Sequence, residues 1–162
     1  MTDPNDPRDP GDLTDINVRD AAPDDEGVVM VGMPHGKAIG MRLHRSVSGK
    51  SHLSVPYDKR LVGDPDTGVL HGGVITALLD TACGSAVMSR PEKLKSTATL
   101  DLRIDYMRPA TKGLTVHASA ECYRLTQSVG FCRAVAYHDD PDNPIASAAG
   151  AFMVERRKER KT

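Results

Sequence analysis

Two glycines and one acid carry the chemistry that this sequence could do. His71-Gly72-Gly73 opens an apolar helical pattern that runs from Val74 to about Ser89, and Asp80 stands in its middle. The first N–H groups of a helix have no intrahelical acceptor and sit at the positive end of its dipole. With no side chain on Gly72 or Gly73, a carbonyl oxygen can come close to those donors. That approach is what polarising a thioester or ester carbonyl, and holding the oxyanion that forms on it, requires. A carboxyl inside an apolar helix is costly to bury without a partner or a task. Asp80 therefore reads as a general base toward water, or as a nucleophile that forms a transient anhydride. Each residue also has a structural alternative: Asp80 as the cap of a neighbouring segment, His71 as a helix-start side chain whose neutral imidazole bonds backbone, and the glycines as a place of tight packing.

The spacing adds a constraint. Asp80 lies eight residues beyond Gly72, about 12 Å along a helix. One carbonyl cannot reach both, so the acid is expected from a second copy, with the helix start of one subunit set against Asp80 of its partner. The helical wheel agrees. Val74, Ile75, Leu78, Leu79, Ala82, Cys83, Ala86 and Val87 form a broad stripe for a core. Asp80 falls off that stripe and shares its sector with Gly73, Ala77 and Gly84, a seam of small residues along which a partner or ligand can approach.

The helix is predicted to start near His71 and to end near Ser89, before Arg90-Pro91, because a residue preceding proline is pushed out of the helical region. Upstream, Val28 to His35 is an apolar segment of ambiguous period ended by Pro34. Ile39 to Val47 alternates as a strand, Ser48-Gly49-Lys50-Ser51 turns the chain, and Ser51 to Tyr57 returns it; Lys59 to Thr67 reads as a loop. Downstream, Thr97–Met107, Leu114–Leu125, Val129–His138 and Ile145–Val154 alternate with short turns between them, as antiparallel neighbours do. The first of these sets Leu100, Leu102, Ile104 and Tyr106 on one face. Strands, one long helix and more strands give an α+β architecture, an antiparallel sheet packed on one dominant helix.

Composition bounds the rest. The chain's 162 residues suit one domain at 27–156, between an acidic, proline-rich tail at 1–26, expected disordered or loosely docked, and a charged tail at 157–162. A net charge of −1 with interspersed signs leaves no basic footprint for nucleic acid, and no apolar run of about 18 residues calls for a membrane. No secretory signal is evident, and Cys83, Cys122 and Cys132 are dispersed and odd in number; together these point to the cytoplasm. The thiols read as small buried hydrophobes, with a Cys122–Cys132 pair across neighbouring strands as the alternative. His35, His44, His117 and His138 are scattered without clustered ligands, so no metal site is expected.

The stretch Gly68 to Val74 with Asp80 nine residues after His71, followed by Thr99 to Ala110 with its Tyr106-Met107-Arg108-Pro109-Ala110 ending, resembles the hotdog-fold acyl-CoA thioesterases of the phenylacetic-acid-degradation (PaaI-like) type. The resemblance covers about Ile39 to Val154. It implies a hotdog fold in which the sheet wraps the helix, and a homodimer with composite active sites, or a dimer of dimers. It also implies hydrolysis of an acyl-CoA with a small, medium-chain or aromatic acyl group. By position it implies that Gly72 supplies the oxyanion N–H within the His71-Gly72-Gly73 element, that Asp80 is base or nucleophile, and that the Thr99 hydroxyl assists the acid. Members of this family frequently carry Asn or Gln six residues before the histidine; here Pro65 stands there, and Asp64 is the nearest candidate. Coenzyme A enters only as part of the substrate. Gly73 at the helix start, and Arg108, Arg124 and Arg133, whose guanidinium groups suit phosphate, are candidates to hold it; a solvated strand face is the arginines' alternative. A hydratase or dehydratase, and a non-catalytic acyl-CoA-binding protein, are the competing functions.

Overall fold

Alternating segments build one sheet around one helix. The computed structural model describes residues 27–30 and 32–157; the expected tail at 1–26, and all but Arg157 of the one at 157–162, lie outside them. Among the described residues the chain forms β1 (Val28–Val29), α1 (Pro34–Ala38), β2 (Arg42–Val47), β3 (Lys50–Val55), β4 (Val62–Asp64), β5 (Val69–Leu70), α2 (Gly72–Met88), β6 (Leu94–Tyr106), β7 (Val116–Leu125), β8 (Val129–Tyr137) and β9 (Ala146–Arg156). Seven strands make an antiparallel sheet in the order β1-β2-β3-β7-β8-β9-β6, and β4 pairs separately with β5. This is the α+β hotdog arrangement. No helix among the described residues is long and apolar enough to cross a membrane.

Local chemistry explains where the elements differ from expectation. Pro34 opens α1 rather than ending an apolar segment, because the first turn of a helix does not need its missing N–H. Ile39 then caps α1 and Gly40 turns at φ 70°, so β2 starts only at Arg42. The loop expected at 59–67 holds a 3-10 turn, Lys59–Leu61, and the start of the β4–β5 hairpin.

All eight residues of the predicted helical stripe are buried. They meet Leu53 and Val55 of β3, Val116, Ala118 and Ala120 of β7, Ala134 and Ala136 of β8, and Phe152 of β9. Small alanines on the central strands let the sheet close on the helix, and the Ser51 hydroxyl fixes its depth by donating to the Ala82 carbonyl at 2.7 Å. The three cysteines are buried and unpaired; Cys122 and Cys132 face each other across β7 and β8, and the Cys132 thiol donates to the Cys83 carbonyl. β6 is different. It pairs only with β9, its other edge has no neighbour among the described residues, and Leu100, at a bulge, is 59% exposed.

The face of the sheet turned away from α2 carries a histidine stack. His44, His52 and His117, from β2, β3 and β7, lie with ring centroids 4.7 Å (His44 to His52) and 5.3 Å (His52 to His117) apart, and Tyr137 of β8 lies 5.9 Å beyond His117. Burial first, then the neighbouring His44 and His138, push the His117 imidazole down from 6.5 to about 4. In the unfolded chain it would take a proton near pH 6.5, in the folded chain only near 4, so the unfolded state binds more protons between those values. This contribution is fully present above pH 6.5 and is lost as pH falls toward 4. His117→Gln should therefore lose less Tm than the wild type over that window; parallel curves of Tm against pH would assign the acid sensitivity elsewhere.

Candidate active site

Gly72 is the first residue of α2, and His71, at φ −61° and ψ 134°, is its N-cap. His71 ties the helix start in three ways. Its N–H donates to the Leu61 carbonyl, its carbonyl accepts from the Val74 N–H, and its ring Nδ1 accepts from the Gly73 N–H, each at 2.9 Å. A ring nitrogen that accepts carries no proton, so the neutral ring is assigned its proton on Nε2. Gly73 and Val74 thus have acceptors for their N–H groups, whereas the exposed Gly72 N–H has none among the described residues. Gly63 backs this arrangement closely: a Cβ there would lie 2.8 Å from the His71 Cα.

Asp80 is half-buried on the side of α2 that faces β6. The Thr99 hydroxyl donates to its Oδ1 at 2.7 Å, and no group among the described residues donates to Oδ2. Thr99 pairs with the buried Phe152 of β9, which places both on the helix side of the sheet.

Asp64 is the last residue of β4, at the turn into β5. Its Oδ2 accepts from the Thr67 hydroxyl at 2.7 Å, its Oδ1 from the Asp66 N–H at 3.0 Å, and its carbonyl from the Gly68 N–H at 2.8 Å. The Thr67 hydroxyl, and after it the Asp66 N–H, hold its carboxyl below the usual carboxylate range. Both oxygens are thereby engaged in closing the hairpin that leads into His71.

The three arginines separate. Arg108, two residues beyond the end of β6, donates to the Asn143 carbonyl at 2.7 Å and lies at the helix-start end of the sheet. Arg124 lies in the β7–β8 hairpin, where Gly130 packs on Val87 at the other end of α2. Arg133 pairs with the buried Glu121 at 2.8 Å. Glu121 alternates with the core-facing Ala120 and Cys122, so this pair is on the far side of the sheet. Two residues that the sequence left out of the site are brought to it instead. Tyr106, read as part of an apolar strand face, places its hydroxyl 2.9 Å from the Gly72 carbonyl and 2.7 Å from the Thr76 hydroxyl. A hydroxyl at the last position of a strand that passes the helix start was the available signal.

The candidate site thus presents an N–H without an acceptor among the described residues at a glycine helix start and a hydroxyl-held acid on the same helix. The Thioesterase superfamily description matches residues 67–145. The medium/long-chain acyl-CoA thioesterase YigI of Escherichia coli (strain K12) is 33% identical over 135 residues, covering 75% of this chain and 86% of the relative. A crystal structure of a Pseudomonas aeruginosa protein is 42% identical at a TM-score of 0.69, covering 77% of this chain and 93% of that one. The Escherichia coli PaaI protein of the phenylacetic acid degradation operon shares the fold at a TM-score of 0.67 with 21% identity, covering 78% of this chain and 86% of that one. The chain belongs to the Thioesterase superfamily and, with YigI as relative, to its hotdog-fold acyl-CoA thioesterases; its class is thioester hydrolase.

The cap geometry is directly testable. His71→Ala should cost about 1 kcal/mol of stability in urea unfolding, whereas His71→Asn, which can still accept from the helix start, should keep most of it. Equal losses would show that the ring does not act as the cap.

Proposed function

We propose that this chain hydrolyses acyl-CoA thioesters at sites shared by two copies, with Gly72 of one subunit and Asp80 of the other acting on the same carbonyl. The observation that carries the reading is the pairing on α2 of one unsatisfied N–H, at Gly72, with one oriented carboxyl about 12 Å further along. The exposed edge of β6 supports a dimer. Thirteen residues long and unpaired on one side among the described residues, it offers Leu100, 59% exposed, and Tyr106, 52% exposed, where a second copy could continue the sheet.

The thioester oxygen approaches the Gly72 N–H, and the positive end of α2 favours the charge that develops there. Asp80, held at Oδ1 by Thr99, takes a proton from a water through Oδ2 while that water attacks the carbonyl carbon. The tetrahedral intermediate collapses with its electron pair expelling the coenzyme A thiolate, and the proton on Asp80 passes to the sulfur. In the nucleophilic variant Oδ2 itself attacks, the coenzyme A thiolate leaves as the C–S bond breaks, and an anhydride forms. Water then opens the anhydride to the free acid and the Asp80 carboxylate, its proton going to the thiolate. Likeness to YigI favours medium or longer acyl chains over small ones. Arg108, at the helix-start end, is the candidate for the phosphates, and reduced buried thiols suit a cytoplasmic protein. The hydratase reading needs a histidine free to act as base; His71 Nδ1 is already an acceptor for Gly73, which leaves Nε2–H as a donor.

Proline is at home in the first turn of a helix, and His71 already has the extended conformation that a residue before proline needs. A Cβ at Gly72 would meet Tyr106 no closer than 3.7 Å. Gly72→Pro should therefore remove the N–H with little change in Tm and lower kcat by about 10²–10³-fold in a thiol-release assay. Asp80→Asn should lower it by about 10²–10⁴-fold. A folded, fully active form of either variant would overturn the assignment.

A further inference from the structure

We propose that Tyr106, backed by Thr76, is a positioning residue that holds the Gly72 N–H in the direction the oxyanion needs. The inference rests on the hydrolase reading above and extends it to what keeps the donor still. A helix start is prone to fraying, and a donor contributes to a transition state only when its direction is set beforehand. At glycine no side chain supplies that restraint.

The hydroxyls of Tyr106 and Thr76 supply it from outside the backbone. The Tyr106 hydroxyl lies 2.9 Å from the Gly72 carbonyl, the Thr76 hydroxyl 3.2 Å from the same oxygen, and the two hydroxyls 2.7 Å from each other. Two protons cannot fill three donor contacts. The shorter distances assign Tyr106 as donor to the carbonyl and Thr76 as donor to Tyr106, an order in which each bond strengthens the next. The Gly72 carbonyl belongs to the same peptide plane as the Gly73 N–H, which donates to His71 Nδ1. That plane is clamped at its oxygen by β6 and at its nitrogen by the cap. The preceding plane, which carries the Gly72 N–H, is held at its own oxygen by the Val74 N–H. With both planes fixed, the Gly72 N–H has one direction. The same strand supplies Thr99 to Asp80, so β6 orients both reacting groups.

The test compares Tyr106→Phe, Thr76→Val, Thr76→Ser and the Tyr106→Phe/Thr76→Val double variant in thiol release from acyl-CoA, with Tm and amide exchange at Gly73 measured on each. Tyr106→Phe keeps the ring against Gly72 and should lower kcat about tenfold with KM within about twofold, and should speed Gly73 exchange. Thr76→Ser should restore wild-type values. The double variant should be no slower than Tyr106→Phe, because Thr76 acts through Tyr106. A Tyr106→Phe enzyme with kcat within twofold of wild type, or with raised KM and unchanged kcat, overturns the proposal, whatever happens to Tm. Asp80→Asn run alongside separates the two levels. If it is inactive while Tyr106→Phe is fully active, only the positioning role fails; a wild-type protein that releases no thiol from any acyl-CoA removes the hydrolase reading and the positioning role with it.

Discussion

A helix has unpaired N–H groups only in its first turn, and a residue eight places further on is about 12 Å away. The rest of the site follows from these two facts. His71 reduces the possible donors to one by accepting from Gly73 through its ring and from Val74 through its carbonyl. Asp80, fixed by Thr99, cannot come back to that donor within its own chain. On the proposed reading a single chain holds two halves of a chemistry, one at each of two points on α2, and a two-fold arrangement of copies would complete both together.

The sheet gives α2 the rigidity this requires. Eight apolar side chains of the helix are buried against it, and alanines along β7 and β8 bring the strands near enough for Ser51 to bond the helix backbone. Packing of this kind fixes the angle and depth of the helix, while the polar contacts at its start fix the last peptide planes. β6 serves a second purpose as the outer strand. It carries the hydroxyls that bond Asp80 and the Gly72 carbonyl, and its other edge has no neighbour among the described residues, so in the proposed dimer the surface that adds a second copy and the surface that holds the chemistry would be one strand.

The helical stripe was legible residue by residue, because a 3.6-residue period records burial on one side directly. The long strands were legible for the same reason with a period of two, and their order around one helix gave the α+β class. Less legible were features set by contacts distant in sequence. Pro34 could end one segment or begin another, and the backbone around it decided for a helix. Leu100 fits the apolar alternation of β6 yet sits exposed at a bulge, since register across to β9 cannot be read from β6 alone. In the candidate site, the glycines and the acid drew notice by type and spacing, and Thr99, which the structure bonds to Asp80, only through family resemblance. Tyr106 looked like a core residue because nothing in its own strand says that its hydroxyl ends on the Gly72 carbonyl. Arginine type likewise pointed to phosphate for Arg133, whereas the alternation of β7 and β8 commits it to Glu121 on the other face.

Shared sites can be tested by mixing two defective chains. A Gly72→Pro subunit retains Asp80, and an Asp80→Asn subunit retains the Gly72 N–H, so a hybrid dimer of the two would contain one intact composite site and one doubly broken site. Unfolding and refolding an equimolar mixture, then isolating the hybrid by two different affinity tags, should recover about half of the wild-type kcat per dimer from parents that are each nearly inactive. A hybrid no more active than its parents would contradict the account, because it would mean that Gly72 and Asp80 of the same chain serve one carbonyl or that one of them does not serve it at all.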